Sequence, residues 1–309
     1  RKCGVKDTIF FKQAELLLKI LPLIYKEEVF ALKGGTAINF FVRDLPRLSV
    51  DIDLTYLPVN ERSFALDEIR RILLKISEGI KKRISGTEVT PKKILGTDVI
   101  KGLIVDRAGV TVKIEPNLVL RGNVYPPEIK ILSKKAQDLF ELSLQCRILS
   151  SYDLYAGKIC AALDRQHPRD LFDVHLLLEN EGIKTELRKA FIVYLISHPR
   201  PMVEILNPQK IDISGIFEKE FKAMIAQSIT LEELEKTRDK LVTTLRKELT
   251  PNERQFIVSM KQGQPLWDLL EIEGIEDLPA VKWKLLNILN MDPIKHKKAV
   301  HKLRDYLGV

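Results

Sequence analysis

The stretch SVDIDL, residues 49–54, places two carboxylates within a run that is otherwise apolar. In an extended strand alternate side chains share a face, so Val50 and Ile52 lie on one face while Asp51 and Asp53 lie on the other. The two aspartates are then about 6 to 7 Å apart along the strand, where their repulsion is unfavourable unless a cation or a partner offsets it. The stretch therefore predicts a strand with one core face and one acidic face.

The segment directly upstream, VFALKGGTAINFFVR (29–43), changes from a strand pattern to a helical pattern across two glycines. Gly34 and Gly35 let the backbone approach a ligand closely, and the amides that open the next helix offer donors to phosphate, assisted by the Thr36 hydroxyl. This pattern predicts a strand, a phosphate-binding turn and a helix. Alone, a Gly-Gly pair equally describes an ordinary tight turn, so the inference rests on the order of the motifs.

A third carboxylate follows in TVKIEPN (111–117), where Ile114 faces one side of a predicted strand and Glu115 the other. Paired strands lie about 4.8 Å apart, so Glu115 joins Asp51 and Asp53 if the two strands are neighbours. Three carboxylates suit Mg²⁺, a hard cation that takes oxygen ligands. Two such ions about 4 Å apart activate an attacking hydroxyl and hold a triphosphate for in-line displacement.

The rest of the chain separates into a mixed part and a helical part. Strand and helix patterns alternate in residues 1–145, and the pattern of residues 146–309 is helical almost throughout. We therefore predict an α/β (α+β) fold class, with a mixed sheet and flanking helices in the first domain and a mostly helical C-terminal domain.

Several helix starts are marked by capping residues. Asp7 is the expected cap of a helix over residues 7–28. Two later starts have the spacing of a capping box, Thr230 with Glu233 and Thr250 with Glu253.

The composition indicates a globular protein with a moderate excess of positive charge. Of 309 residues, 45% are hydrophobic, which is enough for a core in each of two domains. Lysine and arginine number 50 against 42 acidic residues, a net charge of +8 that favours polyanionic partners. The basic runs at residues 81–83 and in a predicted helix at 293–307 would provide an electrostatic footprint for RNA if they line one groove with the acidic cluster.

Three cysteines lie far apart, with no CxxC or Cys-His cluster, and so support neither a disulfide framework nor a zinc site. The longest apolar stretches are short or interrupted by Lys19 and Pro22, so no membrane span is expected. These features predict a cytoplasmic protein with no membrane partner.

The order of these motifs resembles the DNA polymerase beta-like nucleotidyltransferase superfamily, whose members combine a Gly-Gly or Gly-Ser turn with DxD and a distal carboxylate. The fuller text LKGGTAINFFVRDLPRLSVDIDL (32–54) looks more narrowly like the AbiEii/AbiGii toxin family, with its Gly-Gly-Thr-Ala helix and its Arg-x-Ser-x-Asp-x-Asp strand. The strand residues are Arg47, Ser49, Asp51 and Asp53. At the third carboxylate the sequence departs from the aspartate of the superfamily and carries Glu115.

Three later blocks extend the resemblance over nearly the whole chain. YDLYAGKICAAL (152–163) is similar to the family's lysine-bearing helix, with Lys158 as the lysine. RDLFDVHLLL (169–178) is similar to its Arg-Asp-x-x-Asp motif, and PLWDLLEIEGIEDLPAVKWKLLNI (265–288) resembles its C-terminal region.

The resemblance implies a role for each matching residue. The implied catalytic residues are Asp51, Asp53, Glu115 and Lys158, of which the three carboxylates bind the metal. Glu115 would orient or deprotonate the acceptor hydroxyl. The implied nucleotide contacts come from Gly34, Gly35, Thr36, Ser49, Lys158, Arg169, Asp170 and Asp173. For Asp170 and Asp173, contact with the Lys158 side chain is the alternative to contact with the nucleotide.

The function that the resemblance implies is a magnesium-dependent nucleotidyltransferase, acting as the toxin of an AbiE-like toxin-antitoxin system in phage abortive infection. It would transfer NMP from an NTP, GTP or CTP, to an RNA acceptor, the 3′ end of tRNA. A separately encoded winged-helix regulator is the expected antitoxin. Two alternatives remain open, which are NMP transfer to a protein hydroxyl and a GTP-binding toxin without transfer.

Overall fold

The computed structural model describes residues 8–225 and 228–309. They divide into two compact units. The first unit contains the described residues up to Ser151 together with Met224 and Ile225, and the second contains Tyr152–Ala223 and Ser228–Val309. The chain thus enters the second unit, returns briefly to the first, and then completes the second.

The first unit is built on one sheet of seven strands. In chain order these are β1 (Phe30–Lys33), β2 (Asp51–Tyr56), β3 (Thr87–Lys93), β4 (Ile100–Arg107), β5 (Val110–Asn117), β6 (Glu128–Ile131) and β7 (Gln145–Ile148). Their order across the sheet is β3-β4-β5-β2-β1-β7-β6. Strand β2 pairs in parallel with β5 and antiparallel with β1, so the sheet is mixed, as predicted.

Helices flank the sheet and make up most of the second unit. The helices that begin before the second unit are α1 (Ile9–Tyr25), α2 (Gly34–Ala37), α3 (Arg62–Arg83), α4 (Lys134–Phe140) and α5 (Ser151–Asp164). Those that follow are α6 (Pro168–Asn180), α7 (Thr185–Ser197), α8 (Met202–Leu206), α9 (Ser214–Ile216), α10 (Leu231–Glu248), α11 (Pro251–Gln262), α12 (Pro279–Leu289) and α13 (Pro293–Leu307). Short π-helical segments span Ile38–Val42 and Phe217–Phe221, and 3-10 turns span Lys222–Met224, Trp267–Leu269 and Ile275–Asp277.

Strand β2 lies near the middle of the sheet and has the two faces that the sequence predicts. Ile52 and Leu54 are fully buried, and so is Ile114 on the neighbouring β5. Asp51 and Asp53, which alternate with the apolar residues, are partly exposed. The apolar face therefore anchors the strand in the core and leaves the carboxylates on the opposite face.

The helix ends follow capping chemistry. Thr230 and Thr250 each accept a hydrogen bond from the backbone amide three residues later, and both predicted capping boxes are confirmed. Helix α1 begins at Ile9, where the Thr8 side chain accepts from the amide of Phe11. Asp7, the predicted cap, lies outside the described residues. Among the described residues, no helix combines the length and the apolar character needed to cross a bilayer.

A short segment from late in the chain completes the first unit next to β2. The amide of Leu48 donates to the carbonyl of Met224 at 2.8 Å. Arg47 and Ile225 form an isolated antiparallel bridge. The residues that precede the acidic strand are therefore paired with backbone more than 170 positions further along the sequence.

Candidate functional site

The glycine turn, Gly34 and Gly35 at the start of α2, lies directly against the acidic strand β2. Gly34 has φ +72°, a left-handed conformation that side-chain-bearing residues rarely adopt. A Cβ atom at this position would lie 2.7 Å from Oδ2 of Asp53, closer than any real Cβ contact. The Asp53 carboxylate therefore occupies the space that a side chain at residue 34 would need.

The second glycine makes an equally close approach to the segment before β2. A Cβ atom on Gly35 would lie 2.5 Å from Nη2 of Arg47 and 3.1 Å from Oγ of Ser49. The Thr36 hydroxyl donates to the carbonyl of Asp51 at 2.6 Å and lies 2.9 Å from the Ser49 hydroxyl. Both hydroxyl side chains are buried. Their contacts tie the turn to the acidic strand, so the turn and β2 form one rigid piece.

The third predicted carboxylate lies beside the first two through strand pairing. Asp53 and Glu115 are Cα partners in the parallel register of β2 and β5, which confirms that these two strands are neighbours. Glu115 forms an ion pair with Lys92, with 2.6 Å between Nζ and Oε1. A Cβ atom on Gly102 of β4 would lie 3.3 Å from Cγ of Glu115, so β4 approaches this side chain closely as well.

The acidic face offers a divalent cation part of the donor set that it needs. Within residues 8–225 and 228–309, no group of three or more His, Cys, Asp or Glu side chains is placed to hold a metal ion. Asp51 and Asp53 nevertheless offer carboxylate oxygens, the ligands that Mg²⁺ prefers, on one face of one strand. These residues fit a hard cation that takes its remaining ligands from water and from a bound nucleotide. Glu115 as a third ligand stays a prediction.

The second unit contains a buried charged cluster built on α5 and α6. The ammonium of Lys158 lies 2.7 Å from Oδ1 of Asp170 and 3.1 Å from Oδ2 of Asp173. All three side chains are more than nine-tenths buried. The alternative role predicted for the two aspartates, contact with the Lys158 side chain, is therefore present in the structure, and Lys158 is not an exposed helix lysine.

Arg165 adds a second cation to this cluster. Its Nε donates to Oδ2 of Asp170 at 2.6 Å from a side chain that is mostly exposed. Burial alone raises the pKa of Asp170, but the charges of Lys158 and Arg165 outweigh burial and hold this pKa well below its usual range. Asp170 is thus ionised at neutral pH although it is buried.

Helix α6 brings the predicted Arg-Asp-x-x-Asp block to this cluster. Pro168 occupies its first turn, and Nδ1 of His167 caps it by accepting from the amide of Arg169 at 3.1 Å. Arg169 is partly exposed, unlike the buried Asp170 and Asp173. His167 therefore has a structural role at the helix start.

The structure thus groups the predicted site residues in two places. The first unit brings together Gly34, Gly35, Thr36, Ser49, Asp51, Asp53 and Glu115. The second brings together Lys158, Asp170 and Asp173 on two adjacent helices, with Arg169 beside them on α6.

Sequence reasoning did not identify Lys92, Arg165 or the packing of Arg47 against Gly35. Lys92 was missed because the strand that carries it contains Pro91 and few apolar residues. Arg165 lies five residues before Asp170. This short separation between a basic residue and the acidic motif was the only sequence signal for their ion pair.

Comparisons with known proteins identify the family and the fold of this chain. The profile described as "Nucleotidyl transferase AbiEii toxin, Type IV TA system" matches residues 15–285, which is most of the chain. Among solved structures, the chain is similar to MenT4, nucleotidyltransferase toxin Rv2826c from Mycobacterium tuberculosis H37Rv, with a TM-score of 0.58 and 14% identity. That similarity covers 96% of this chain and 92% of the other, and at this identity it shows a shared fold. A search of curated proteins gives no match.

Proposed function

This chain belongs to the AbiEii nucleotidyl transferase toxin family of type IV toxin-antitoxin systems, and we propose that it transfers NMP from an NTP to an RNA acceptor. The 3′ hydroxyl of tRNA is the proposed acceptor, and GTP or CTP is the proposed donor. The observation that carries this proposal is the contact between the Gly34 turn and Asp53, because it joins a phosphate-binding element to a metal-binding carboxylate.

We assign the proposed metal ligands to Asp51 and Asp53, with Glu115 beside them in register. When bound, Mg²⁺ neutralises charge on the triphosphate and lowers the pKa of a coordinated hydroxyl. In the proposed reaction the acceptor 3′ oxygen bonds to the α-phosphorus. The bond from that phosphorus to the β-phosphate oxygen breaks, and pyrophosphate leaves.

The other residues of the first unit position these groups. Gly34 and Gly35 carry no side chain, so Asp53 and Arg47 lie directly against them. The backbone amides that follow are the donors that this proposal assigns to the phosphates. Thr36 and Ser49 fix the turn on β2 through their buried hydroxyls. Glu115 accepts the proton of the acceptor hydroxyl in this proposal, because it lies beside Asp53 in the strand register and carries a carboxylate that already pairs with Lys92.

The further nucleotide contacts that the family resemblance implies, Lys158, Arg169, Asp170 and Asp173 on α5 and α6, stay predictions. Lys158 lies between Asp170 and Asp173, and its ammonium is the point charge that this proposal assigns to phosphate. The proposed partner of the chain is a separately encoded antitoxin, a winged-helix regulator, as expected for a type IV system.

The test is label transfer by purified protein with Mg²⁺, total cellular RNA, lysate protein and each of the four labelled NTPs in turn. We expect label in a tRNA-sized band with one nucleotide, and a loss of at least about a thousandfold in Asp53→Asn because a metal ligand is removed. The matched control is Asp138→Asn on α4, whose exposed carboxylate pairs with Lys134 and is expected to have no effect.

Three outcomes would contradict parts of the proposal. Full transfer by Asp53→Asn would remove this residue from the site. Label in protein and not in RNA would favour transfer to a protein hydroxyl. Tight GTP binding without label in either acceptor would favour a nucleotide-binding toxin without transfer.

A further inference from the structure

The last two helices carry most of the net charge of the chain. Residues 279–309 contain seven lysines and arginines and two aspartates, so this segment contributes +5 of the overall +8. This clustering of positive charge matters because a basic stretch with few acidic neighbours attracts a polyanion far more strongly than the same charge spread evenly over the chain.

The lysines of α13 are available to such a partner. Lys295, Lys297, Lys298 and Lys302 are all exposed. None of them forms an ion pair with another residue in the part of the chain that the structure describes. Asp305, the acidic residue of this helix, instead lies 3.3 Å from His301. Lys295, Lys298 and Lys302 follow one another at helical spacing and so form a continuous basic stripe.

Helix α12 adds an exposed aromatic ring next to this charge in the chain. Trp283 is 59% exposed, and Leu286 and Leu289 follow at three-residue steps with 49% and 62% exposure. A tryptophan is costly to leave in water, so its exposure on a well-packed helix needs a reason. The other tryptophan of the chain, Trp267, packs against Phe256 at 5.8 Å between ring centroids.

Packing within the second unit leaves both exposed faces uncovered. Helix α12 packs on α7 and α11, and α13 packs on α8 and α11. The buried sides are mostly apolar, with Val281 and Ile288 on α12 and Leu303 and Leu307 on α13, and the buried Lys284 of α12 donates to the carbonyls of His198 and Arg200. Trp283 and the lysines therefore lie on the sides that do not hold the helices in place.

We propose that the exposed faces of α12 and α13 form a binding surface for single-stranded RNA, with a base stacked on Trp283 and the α13 lysines on the phosphates. Bases stack on aromatic rings in a sequence-tolerant way, and exposed lysines contact the phosphates of the backbone. RNA is favoured over a lipid surface because exposed Asn287 and Asn290 interrupt the apolar face of α12, whereas membrane insertion needs a continuous one. This assignment rests on the proposed RNA acceptor.

Tryptophan fluorescence offers a direct test, because Trp267→Phe leaves Trp283 as the sole tryptophan of the chain. This variant is combined with Asp53→Asn, so that binding is measured without turnover, and is titrated with tRNA and with a single-stranded RNA oligonucleotide. We expect saturable quenching of Trp283 by RNA. Trp283→Ala, measured by anisotropy of labelled RNA, is expected to weaken binding about tenfold.

Charge is tested by a second pair of variants. Lys298→Gln with Lys302→Gln is expected to weaken binding of the single-stranded RNA and to reduce the magnitude of the slope of log affinity against log salt by about 1.4. The matched control, Lys134→Gln with Lys135→Gln, removes two exposed lysines from α4 and is expected to change the slope by less than about half a unit. All these residues are exposed, and an unchanged melting temperature verifies folding.

Unchanged RNA affinity in both the Trp283 and the α13 variants would overturn the assignment. So would a fluorescence blue shift with vesicles containing phosphatidylserine but no quenching by RNA, because that result indicates a lipid surface. Quenching by RNA in a protein that shows no label transfer would support this surface and contradict the proposed function alone.

Discussion

At the scale of single residues, Gly34 carries two constraints at once. Its φ of +72° disfavours any residue with a side chain, and the Asp53 carboxylate fills the space beside it. Gly86 has a similar φ of +75°, but a Cβ atom added there would have nothing within 4 Å. Gly86 therefore isolates the first constraint from the second.

Replacing each of these glycines with alanine separates the two effects. Gly86→Ala is expected to cost about 1 kcal/mol of unfolding free energy from backbone strain alone. Gly34→Ala is expected to cost at least about 2 kcal/mol and to abolish label transfer, because the new methyl displaces Asp53. Urea unfolding and the transfer assay check both. Normal activity in Gly34→Ala would mean that the contact with Asp53 is dispensable.

Asp170 gives a residue-scale prediction about pH. Its pKa in the folded protein is lowered, so its contribution to stability is complete above about pH 4, its usual unfolded value, and is lost as pH falls through the folded pKa. Asp170→Asn is therefore expected to flatten the loss of stability below about pH 4. Asp138→Asn, at an exposed site, is expected to leave the curve unchanged. Identical acid curves for wild type and Asp170→Asn would contradict this account.

At the scale of elements, two capping boxes of the same sequence type differ in what surrounds them. Glu233 at the start of α10 is exposed and accepts from the amide and the hydroxyl of Thr230. Glu253 of α11 is buried and accepts from Nε of Arg188 at 2.7 Å as well as from the Thr250 amide. The second carboxylate thus joins α11 to α7 as well as capping its own helix.

This difference predicts unequal costs for the same substitution. Glu233→Gln is expected to cost less than about 1 kcal/mol of unfolding free energy, since glutamine still fits a capping box. Glu253→Gln is expected to cost about 3 to 5 kcal/mol, because it leaves the Arg188 charge buried without its partner. Chemical denaturation of both variants measures the difference, and equal costs would show that the ion pair adds nothing to the cap.

Elements with strong periodicity were predictable from the sequence, and short or polar ones were not. Strands β2 and β5 alternate apolar and polar residues over six to eight positions, β4 contains the apolar run at residues 103–105, and both capping boxes are local signals. Strands β6 and β7 have four residues each, too few for a period to emerge. Strand β3 contains Pro91 and is held by pairing with β4, a contact that no local pattern reveals.

The candidate site shows the same limit. Strand alternation predicted which face of its strand each of Asp51, Asp53 and Glu115 lies on. The prediction that the two strands are neighbours is confirmed. The partners of these groups depend on tertiary packing, since Lys92 reaches Glu115 from β3 and Arg47 packs behind Gly35. Residue type and spacing thus identify the carboxylates, but not the basic residues that lie next to them in the folded chain.

At the scale of the whole molecule, the pairing of residues 47–48 with 224–225 ties the acidic strand to a distant part of the chain. A fragment of residues 1–151 lacks this segment. We expect the Leu48 amide to exchange with solvent much faster in the fragment than in the full chain. The control is the Leu57 amide, which donates to Val29 within the fragment and is expected to stay protected.

Addition of a fragment of residues 152–309 is expected to restore protection of the Leu48 amide, measured by hydrogen exchange with NMR or mass spectrometry. Equal exchange of this amide in the fragment and the full chain would show that the late segment does not stabilise the entry to β2.

The same pairing has a consequence for synthesis on the ribosome. Residues 152–223 must be translated after the sheet of the first unit and before Met224. At about 5 to 20 residues per second, that interval lasts about 4 to 14 s. During it the nascent chain contains every strand of the sheet but not the backbone that accepts the Leu48 amide. The first unit can therefore be completed only after residues 152–223 of the second unit have been translated.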